Sequence, residues 1–411
     1  MKKLLKRALV CAALFLFLVP AGAQSVIYVA ATKENGNIVV LNNIGDVTYE
    51  YAGLEVVGLG ANPQGVWTLV RTTDVEGKWF DGRTDKHMPG WGEYVLYHNG
   101  EVYKRYPYGD PETCCISSAA LKVTYDQVVV AGTYAKRWKN TNYYYGKMWG
   151  EINGRRIYGD PESDEGWERM SLKRKWFQGF AEPSRGLFNI GYAKTPDVDG
   201  NFTSMYHVYA CDAMDGKIYT VGWGEREYTY YNVGNAADAY YVRRCARGWI
   251  NGKEALKQVP NQTSGARALT MGGTSENPIW YTAGHHRGKP MHWNNSTEAS
   301  IPLDVSGVIT SEAVVFFNDT ARRYFILNGR LYKNDSSAGR RIVCLLDRPI
   351  NIDIVACYRY VYVLRTWQGP GGYKFSVHVI DTEEFKDKDE VWNEEDFRFD
   401  GVTMAWKVAV W

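Results

Sequence analysis

The sequence predicts an all-β fold, and three observations support this prediction. Short runs of β-branched and aromatic residues recur along the chain, each bounded by Gly, Asn or Asp, which is the pattern of strands. Asn-Gly pairs, a strong short-range signal for a β-hairpin, follow several of these runs. Apolar positions rarely recur at helical spacing over a helix-length window. We therefore expect strands joined by turns and loops.

Eight of the strand-like runs share one form. An apolar, a bulky, a variable and a second apolar residue follow one another, often with a glycine after them. The runs are 27–30, 66–70, 128–132, 187–191, 218–222, 279–284, 324–327 and 361–364. Their spacing is irregular, but their similarity indicates an internal repeat.

Residues 122–162 contain one complete copy of the repeated unit. The run 128–132 is followed by a second strand-like segment, then by Asn153-Gly154 and a third segment. Both turn residues tolerate the positive φ that a type I′ hairpin turn requires. Similar combinations of a large apolar residue and a turn occur at 97–100, 249–252, 293–295 and 327–329.

A unit of about 50 residues with about four short strands has the size of a β-propeller blade. Residues 24–411 divided among seven blades give about 55 residues a blade, so seven is the expected number, with six and eight as alternatives. Packing between sheets accounts for 15 Trp, 30 Tyr and 14 Phe. Residues 27–40 and 399–411 both have strand patterns, so we expect the two ends to complete one blade and close the ring.

The run 128–132, its copies at 218–222 and 279–284, and the Trp-x-Asn-Gly segment at 249–252 resemble the blades of secreted bacterial β-propeller proteins of mostly unassigned function. In that group a strand similar to Val-Tyr-Val-Ala-Gly is the inner strand, and Trp-x-Asn-Gly forms a hairpin. The resemblance implies the fold over most of the chain. It implies no activity, because a fold does not define a function.

Residues 1–23 are expected to be a signal peptide, and residues 24–411 a single β-propeller domain. Basic residues precede the apolar run 8–19, and Ala-Gly-Ala at 21–23 matches a cleavage pattern. The run is shorter than the roughly 20 residues that a spanning helix needs. The sequence thus predicts an exported protein without a transmembrane segment, in the periplasm or at the cell surface.

The charge argues against a nucleic-acid partner. The whole chain has a formal net charge of +2, and the signal peptide holds four basic residues and no acidic one, which leaves a charge of −2 after cleavage. A nucleic-acid-binding surface would need a clustered basic face. The expected partner is a glycan or a protein, bound by a monomer, and no cofactor is predicted.

Six cysteines follow the signal peptide: Cys114, Cys115, Cys211, Cys245, Cys344 and Cys357. An even number in an oxidising compartment permits disulfides, and six cysteines allow 15 pairings. A chain of this length can also build its core without disulfides, so buried free thiols are an equal alternative.

Two copies of Gly-Asp-Pro-Glu place acidic pairs at Asp110 and Glu112, and at Asp160 and Glu162. Two carboxylates at a suitable separation could hydrolyse a glycosidic bond. Gly-Asp-Pro is also a good turn, because Asp bonds the backbone and Pro fixes φ. The repetition favours the turn, so no catalytic residue is assigned.

A polar cluster is formed in the sequence by Trp280, His285, His286, Arg287 and His292. Histidines can bind metal or transfer protons near neutral pH. This spacing matches no metal motif, and an exposed hairpin loop is the preferred interpretation. No metal ligand is assigned.

Two acidic segments and three tyrosine groups complete the candidates. Asp197 to Asn201 is similar to a shortened calcium loop, but a full loop needs further oxygen ligands. This segment is expected to be a hairpin turn, and residues 381–396 a hydrated loop. The tyrosines at 143–145, 228–231 and 240–241 could stack on sugar rings, although packing between blades is the preferred role.

The sequence therefore predicts a secreted β-propeller that binds a glycan or a protein at the mouth of its channel. A polysaccharide-active hydrolase or lyase with its site in the central funnel is the alternative. A structural member of a surface assembly is a third possibility. No catalytic signature is present, which favours binding over catalysis.

Overall fold

The computed structural model describes residues 26–43, 47–72, 92–106, 114–137, 144–163, 168–170, 206–230, 239–256, 264–286, 288–295, 297–300, 306–317, 320–335, 341–346, 350–369, 372–382, 392–395 and 402–411. These residues form 29 strands and no helix, so the all-β prediction is confirmed. None of them belongs to a helix that could cross a membrane.

The strands are short and follow one another in antiparallel pairs. In chain order they are β1 (Ile27–Lys33), β2 (Ile38–Asn42), β3 (Val47–Tyr51), β4 (Glu55–Asn62), β5 (Gly65–Arg71), β6 (Tyr94–His98), β7 (Glu101–Tyr106), β8 (Cys114–Val123), β9 (Val128–Arg137), β10 (Tyr144–Ile152), β11 (Arg155–Tyr158), β12 (Glu168–Met170), β13 (Tyr206–Met214), β14 (Lys217–Tyr230), β15 (Ala239–Ile250), β16 (Lys253–Leu256), β17 (Ser264–Gly273), β18 (Pro278–His286), β19 (Lys289–Asn294), β20 (Thr297–Ser300), β21 (Ile309–Phe317), β22 (Thr320–Leu327), β23 (Arg330–Asp335), β24 (Arg341–Leu346), β25 (Ile350–Cys357), β26 (Tyr360–Gly369), β27 (Gly372–Asp381), β28 (Trp392–Glu395) and β29 (Val402–Val410).

The strands form seven sheets, which are the blades of a propeller. From first to fourth strand they are β29-β1-β2-β3 (blade 1), β4-β5-β6-β7 (blade 2), β8-β9-β10-β11 with β12 beside β10 (blade 3), β13-β14-β15-β16 (blade 4), β17-β18-β19-β20 (blade 5), β21-β22-β23-β24 (blade 6) and β25-β26-β27-β28 (blade 7). The first strands of consecutive blades contact one another in a closed cycle from β29 through β4 and onward to β25 and back. The chain is therefore a seven-bladed β-propeller, as expected.

The two ends of the domain share blade 1. Strand β29 pairs with β1 from Val410 opposite Ile27 to Val402 opposite Lys33. Val26 and Trp411 exchange two backbone hydrogen bonds of 2.7 and 2.9 Å beyond the end of the pairing. The predicted closure of the ring by both ends is confirmed.

The core consists of seven apolar layers, one between each pair of neighbouring blades. Blades 3 and 4, for example, enclose Val129, Met148, Ile218 and Trp249, and each of the other six interfaces has a cluster of the same kind. A single sheet cannot bury both of its faces, whereas a ring buries the faces of all the sheets against one another. The predicted packing of large aromatic residues between blades is thereby confirmed.

The similar runs of the sequence are second strands, not inner strands. Seven of the eight runs lie in β1, β5, β9, β14, β18, β22 and β26, one in each blade, and the run 187–191 lies outside the described residues. The expectation that they are the innermost strands is wrong. Each second strand has a hydrogen-bonded strand on both sides and a neighbouring blade on both faces, so it is as buried as an innermost strand would be. Burial of this kind selects the same continuous β-branched pattern.

Each first strand carries a β-bulge opposite its second strand. The residues skipped in the pairing are Val57, Ser117, Tyr209, Arg267, Thr310, Ile352 and Trp406, one in each first strand, and β29 skips Thr403 as well. Three of the runs end in glycine, at positions where the backbone of the first strand comes too close for a side chain. A Cβ on Gly132, Gly222 or Gly284 would lie 2.2, 1.7 or 2.0 Å from a carbonyl oxygen of the first strand.

Side chains join neighbouring first strands around the channel. Ser118 Oγ accepts a hydrogen bond from the backbone N–H of Val208, and Asp212 Oδ2 accepts one from that of Met271. Asp353 accepts hydrogen bonds from Ser311 Oγ and from the N–H of Val408, on the blades at its two sides. These bonds satisfy backbone groups that the first strands, at the edge of each sheet, leave without a strand partner.

Asparagine turns fasten the outer part of several blades to the second strand. In blades 2 to 5 an asparagine lies between the third and fourth strands and makes two hydrogen bonds to one residue near the start of the second strand. Its Oδ1 accepts a hydrogen bond from the backbone N–H of that residue, and its own backbone N–H donates one to the backbone carbonyl of the same residue. The pairs are Asn99 with Val66, Asn153 with Val128, Asn251 with Ile218 and Asn295 with Trp280. The four asparagines have φ between 47° and 51°, as the predicted hairpins require. Asn328-Gly329 is also a turn, but between a second and a third strand.

The two faces of the ring differ in their connections. On the turn face, first strands lead into second strands and third into fourth, through turns such as Asp215-Gly216. On the loop face, second strands lead into third strands and fourth strands into the next blade. Long connections of blades 2 to 5, among them 72–93, 107–113, 138–143, 171–205, 231–238 and 257–263, begin and end on the loop face. These lengths explain the irregular spacing of the runs.

Replacing Gly222 by alanine should destabilise the ring. The new Cβ would meet the carbonyl oxygen of His207 at 1.7 Å, so β13 and β14 would have to separate, at a cost of about 3 kcal/mol. Urea unfolding of the G222A variant measures this loss.

Gly272→Ala is the matched control for this substitution. Its Cβ would meet the rings of Phe316 and Tyr281 at 2.5 and 2.9 Å, and these partly exposed side chains can shift more easily than backbone, so we expect a clearly smaller loss. Equal losses in the two variants would contradict the importance of the close approach at the bulge.

Candidate functional site

Five side chains of blades 4 and 5 come together at the loop-face end of the channel. His207 and Tyr209 lie near the start of β13, Trp223 on β14, Arg267 near the start of β17, and His285 at the end of β18. We call these five residues the channel cluster. All except Trp223 are half-buried, so part of each of these four side chains is exposed to solvent.

The bulges position two members of the channel cluster. Tyr209 and Arg267 are the bulged residues of adjacent first strands. A bulged residue has no partner across its sheet, and bulges commonly re-aim a side chain at a binding site. Because β13 and β17 are neighbours in the ring, the two side chains meet.

Tyr209 is held by contacts on several sides. The guanidinium carbon of Arg267 lies 3.7 Å from the centroid of the Tyr209 ring, a close cation–π contact. Trp223 Nε1 donates a hydrogen bond of 3.0 Å to Tyr209 Oη. The His207 ring centroid lies 4.4 Å from that of Tyr209 and 5.6 Å from that of Trp223, which it faces at an interplanar angle of 3°. The phenol is thereby fixed in one orientation.

His285 adds a second imidazole beside Arg267. It pairs across the sheet with Gly265, and a Cβ on Gly265 would lie 3.0 Å from His285 Cε1, so glycine makes room for the ring. Burial lowers the pKa of His285 below its ordinary value, and the charges of Arg267 and His286 lower the pKa further. The neutral form of His285 is therefore favoured more than in a free imidazole.

The channel cluster has the chemistry of a polar recognition site. Hydroxyl, imidazole and guanidinium groups donate hydrogen bonds, and imidazole and phenol can also transfer protons. None of the five residues is a carboxylate, so the cluster by itself does not contain the acidic pair that glycoside hydrolysis uses. Elsewhere in the described part of the chain, no group of three His, Cys, Asp or Glu residues could hold a metal ion.

The second Gly-Asp-Pro-Glu segment has a structural role. The N–H of Glu162 donates a hydrogen bond of 3.0 Å to Asp160 Oδ1, which is an Asx turn. The buried Lys147 ammonium donates to the carbonyls of Asp160 and Ser163 at 2.5 and 2.9 Å. The turn thus closes over a buried cation, in agreement with the preferred interpretation. Asp110 and Glu112 lie outside the described residues.

The predicted polar cluster around the histidines does not assemble. Trp280 is buried near the turn face, where its ring meets Tyr219 edge-on at 5.1 Å, and His292 is buried between blades 5 and 6. Neither residue lies in an exposed loop, because both occupy positions of β18 and β19 that face a neighbouring blade. His285 and His286 end β18 half-buried, and Arg287 lies outside the described residues.

The other candidates lie wholly or partly outside the described residues. Residues 197–201 are not described. The expectation of a hydrated loop over 381–396 is wrong at both ends of this stretch: Asp381 ends β27, is buried and pairs with Arg359 at 2.8 Å, and Trp392–Glu395 form β28 against β27. Of the tyrosines, residues 144–145, 228–230 and 240–241 continue β10, β14 and β15, and their side chains are not described. Cys211 is a buried free thiol and Cys357 a half-buried one.

A buried ionic cluster joins blades 5 and 6, and sequence reasoning missed it. Arg323 donates to the two carboxylate oxygens of Glu312 at 2.6 and 2.9 Å and to the carbonyl of Thr282 at 2.7 Å. His292 Nε2 lies 3.2 Å from Glu312 Oε1, and Asn334 contacts the other ring nitrogen. Charged residues inside otherwise apolar strand patterns were the available signal.

The environment of this cluster sets its protonation. Burial raises the pKa of Glu312, but Arg323 and His292 outweigh this effect and lower that pKa to about 2. Burial and Arg323 lower the pKa of His292 to about 4, against the opposing effect of Glu312. At neutral pH the cluster is therefore a Glu312–Arg323 ion pair with a neutral histidine, which is a structural contact between blades.

A second buried carboxylate joins blades 2 and 3. Glu151 is 1% exposed and accepts hydrogen bonds from Lys104 at 2.8 and 2.9 Å and from Tyr106 at 3.2 Å, while Arg156 lies 2.8 Å away. All of these partners come from outer strands, far from the channel. This cluster also fixes one blade against the next.

Comparison with known proteins gives no family. No family model matches the chain, and no curated protein matches it. Solved structures similar to it include Saccharomyces cerevisiae Sqt1, at 10% identity, 82% of this chain and 84% of that chain covered, and a TM-score of 0.38. The dihydro-heme d1 dehydrogenase NirN in complex with DHE has 10% identity, 94% and 74% coverage, and a TM-score of 0.44. The β-propeller domain of Myceliophteria thermophila Cps50 (Swd1) has 8% identity, 84% and 94% coverage, and a TM-score of 0.34. At these values the fold assignment depends on the seven sheets themselves.

Acid should weaken the contact between blades 5 and 6 through His292. The folded chain keeps this residue neutral down to about pH 4, whereas the unfolded chain takes up the proton near pH 6.5, so stability falls between these values. Glu312 adds stability above pH 4.5 that is lost as the pH falls through about 2. Between pH 7 and pH 4 the loss from His292 is on the order of 3 kcal/mol.

The His292→Gln variant tests this dependence, because glutamine keeps donor and acceptor groups but does not titrate. Chemical denaturation at a series of pH values should show a flatter decline in the free energy of unfolding for H292Q than for the unmodified chain. Parallel declines would contradict the assignment.

Proposed function

We propose that this β-propeller is an exported binding module that takes a glycan at the loop-face end of its channel. The observation that carries the proposal is the convergence of Tyr209, Arg267 and His285, with their hydroxyl, guanidinium and imidazole groups, in half-buried positions of blades 4 and 5. The β-propeller fold supports a binding or interaction role in general terms. The ligand class is our inference from the channel cluster.

A glycan suits this position better than a folded protein does. Ligand sites for small molecules combine aromatic side chains with a few well-placed polar groups, as the channel cluster does. A stable protein partner covers about 800 Å² on each side, mostly through exposed anchors. The channel cluster is instead recessed beside the first strands, where a narrow chain of sugars can reach it.

Export is part of the proposal. The basic start, the apolar run 8–19 and the small residues at 21–23 favour secretion to the periplasm or the cell surface. Glycans of cell walls and surfaces are abundant in those compartments. A single closed ring has no open sheet edge at its seam, which agrees with a monomer.

A polysaccharide-active enzyme is the alternative, and one observation favours it. His207, Tyr209 and His285 are titratable groups beside a cation, which a lyase could use to move a proton. A hydrolase would need a pair of carboxylates that the channel cluster does not supply. Measuring the release of reducing or unsaturated sugar ends from any bound glycan separates an enzyme from a binding module.

Removing the Tyr209 hydroxyl should weaken glycan binding. We expect Tyr209→Phe to lower the affinity about 5- to 10-fold, because one hydrogen bond to the ligand is lost while the ring and its cation–π contact remain. The measurement is a glycan-array screen with purified residues 24–411, followed by calorimetric titration of the best ligand with both proteins.

Tyr125→Phe is the matched control. Tyr125 lies in the turn between β8 and β9 on the opposite face and is 69% exposed, so its hydroxyl should not contribute. Absence of glycan binding by the unmodified chain, or equal affinity of Y209F and the unmodified chain, would refute the proposed site.

A further inference from the structure

The exposed aromatic side chains of the described residues lie at one end of the ring. All of them are on the turn face or close to it: Tyr103, Tyr125, Phe316, Tyr358 and Trp411. The exposed large apolar side chains near the loop face are aliphatic. Exposed aromatic groups that occur together, rather than singly, are typical of ligand-binding or interaction surfaces.

Tyr358 combines high exposure with an unusual backbone conformation. It lies in the turn between β25 and β26, is 85% exposed and has a φ of 53°. The other six non-glycine residues with positive φ in the described part of the chain are all asparagine or aspartate, which tolerate this conformation. A tyrosine strains the turn and, at this exposure, gains little packing in return. Strained positions of this kind cluster at ligand sites, so the outlier points to a role in binding.

Tyr125 and Trp411 form a pair of rings across blade 2. Trp411 follows β29 in blade 1, where two backbone hydrogen bonds to Val26 hold it, and Tyr125 lies in the four-residue turn between β8 and β9 of blade 3. The corresponding turn of blade 2, Pro63-Gln64, has only two residues. The longer turn can therefore reach over it, and the two ring centroids lie 5.6 Å apart at an interplanar angle of 42°. The side chains remain 69% and 41% exposed.

We call Tyr125, Tyr358 and Trp411 the aromatic sector, because they belong to blades 3, 7 and 1 on one side of the turn face. The corresponding turns of blades 4 and 5 are polar, with Asp215-Gly216 and residues 274–277. The aromatic sector therefore does not follow from the repeat, since equivalent turns of other blades lack aromatic residues.

The chemistry of the aromatic sector suits a neutral glycan. The C–H face of a sugar ring packs on an aromatic face, and its hydroxyls bind polar groups such as those of Gln64 and Asp126, which are exposed in the same turns. The 5.6 Å between the rings of Tyr125 and Trp411 is close to the length of one sugar unit in an extended oligosaccharide. Two consecutive units can therefore each contact one ring.

A lipid surface and a protein partner suit the aromatic sector less well. Peripheral contact with an anionic membrane uses clustered basic residues, whereas the exposed charged neighbour of Tyr125 in its turn is the carboxylate of Asp126. A stable protein interface covers about 800 Å² on each side and is depleted of charged residues at its centre. Separate rings beside polar turn residues match a sugar chain better.

We infer that the aromatic sector is a glycan-binding site of its own, which takes neutral oligosaccharides by stacking on Tyr125, Trp411 and Tyr358. It uses other residues than the channel cluster and lies on the opposite face. The inference does not rest on the proposed function, and either site can exist without the other.

Cellohexaose and chitohexaose are suitable probes, because the substituents of their sugar rings are equatorial and leave both ring faces flat. In calorimetric titrations of purified residues 24–411 we expect at least one of them to bind about 10-fold more tightly than its monosaccharide or better, since two rings contact two units.

Tyr125→Ala should lower this affinity about 10-fold, because it removes one of the two adjacent rings. Tyr125→Phe keeps the ring and should bind as the unmodified chain does. Phe316→Ala is the matched control for loss of an exposed ring, since Phe316 lies in blade 6 and packs against Tyr281 of blade 5. Equal affinity of Y125A and the unmodified chain would overturn the site.

Tyr358→Asn separates binding from stability. Asparagine adopts a positive φ more readily, so we expect the midpoint of urea unfolding to rise while the affinity for the oligosaccharide falls about 5-fold. A purely structural role of Tyr358 predicts a lower midpoint and an unchanged affinity, and that result would remove Tyr358 from the site.

The remaining outcomes distinguish this site from the channel cluster and from other occupants. Binding that Y125A weakens and Tyr209→Phe does not supports the aromatic sector. Binding that Y209F weakens and Y125A does not would place the glycan at the channel cluster and overturn this inference alone. Failure of both probes to bind would overturn it as well. So would association with phosphatidylcholine vesicles, or self-association, that Y125A abolishes.

Discussion

The pairing of β29 with β1 is the interaction on which the rest of the structure depends. Each blade has two apolar faces, and seven interfaces bury all of them only if the ring is closed. Without β29, blade 1 would lose its first strand, and with it the contacts to β4 and β25 on the two sides. Asp353, whose carboxylate binds β29 and β21 together, would lose one of its partners. Closure thus makes the seven local layers into one cooperative core.

The channel cluster and the repeated asparagine turns lie at opposite ends of the axis. On the turn face the asparagine turns of blades 2 to 5 repeat nearly identical hydrogen bonds. Between the sheets, the buried ionic contacts at Glu151 and Glu312 fix neighbouring blades. On the loop face the same blades differ from one another, with long connections and with different residues at the bulges. Tyr209 and Arg267 use a backbone irregularity that every blade has, so the site arises without any change to the sheets.

The sequence predicts the fold well because the fold depends on local patterns. β-branched runs identify the second strands, and Asn-Gly pairs identify the turns, since both preferences operate within a few residues. The position of the runs within the blade could not be predicted, because a second strand and an inner strand are both buried. The channel cluster could not be predicted from local sequence patterns either. His207 and Tyr209 belong to a different blade from Arg267, and a bulge that skips one residue does not change the pattern of apolar and polar residues in the sequence. The histidines that did attract attention, such as His292, fill the core instead.

The bulge repeated in all seven first strands has a further consequence for how such a protein changes over time. Val57, Ser117, Tyr209, Arg267, Thr310, Ile352 and Trp406 are bulged residues of seven first strands arranged around one axis. They range from valine to tryptophan, so the backbone accepts small, polar, charged and aromatic side chains alike. Substitutions at these positions can alter ligand preference and leave the sheets unchanged. Divergent evolution can therefore act on them, and they are suitable positions to vary in combinatorial libraries.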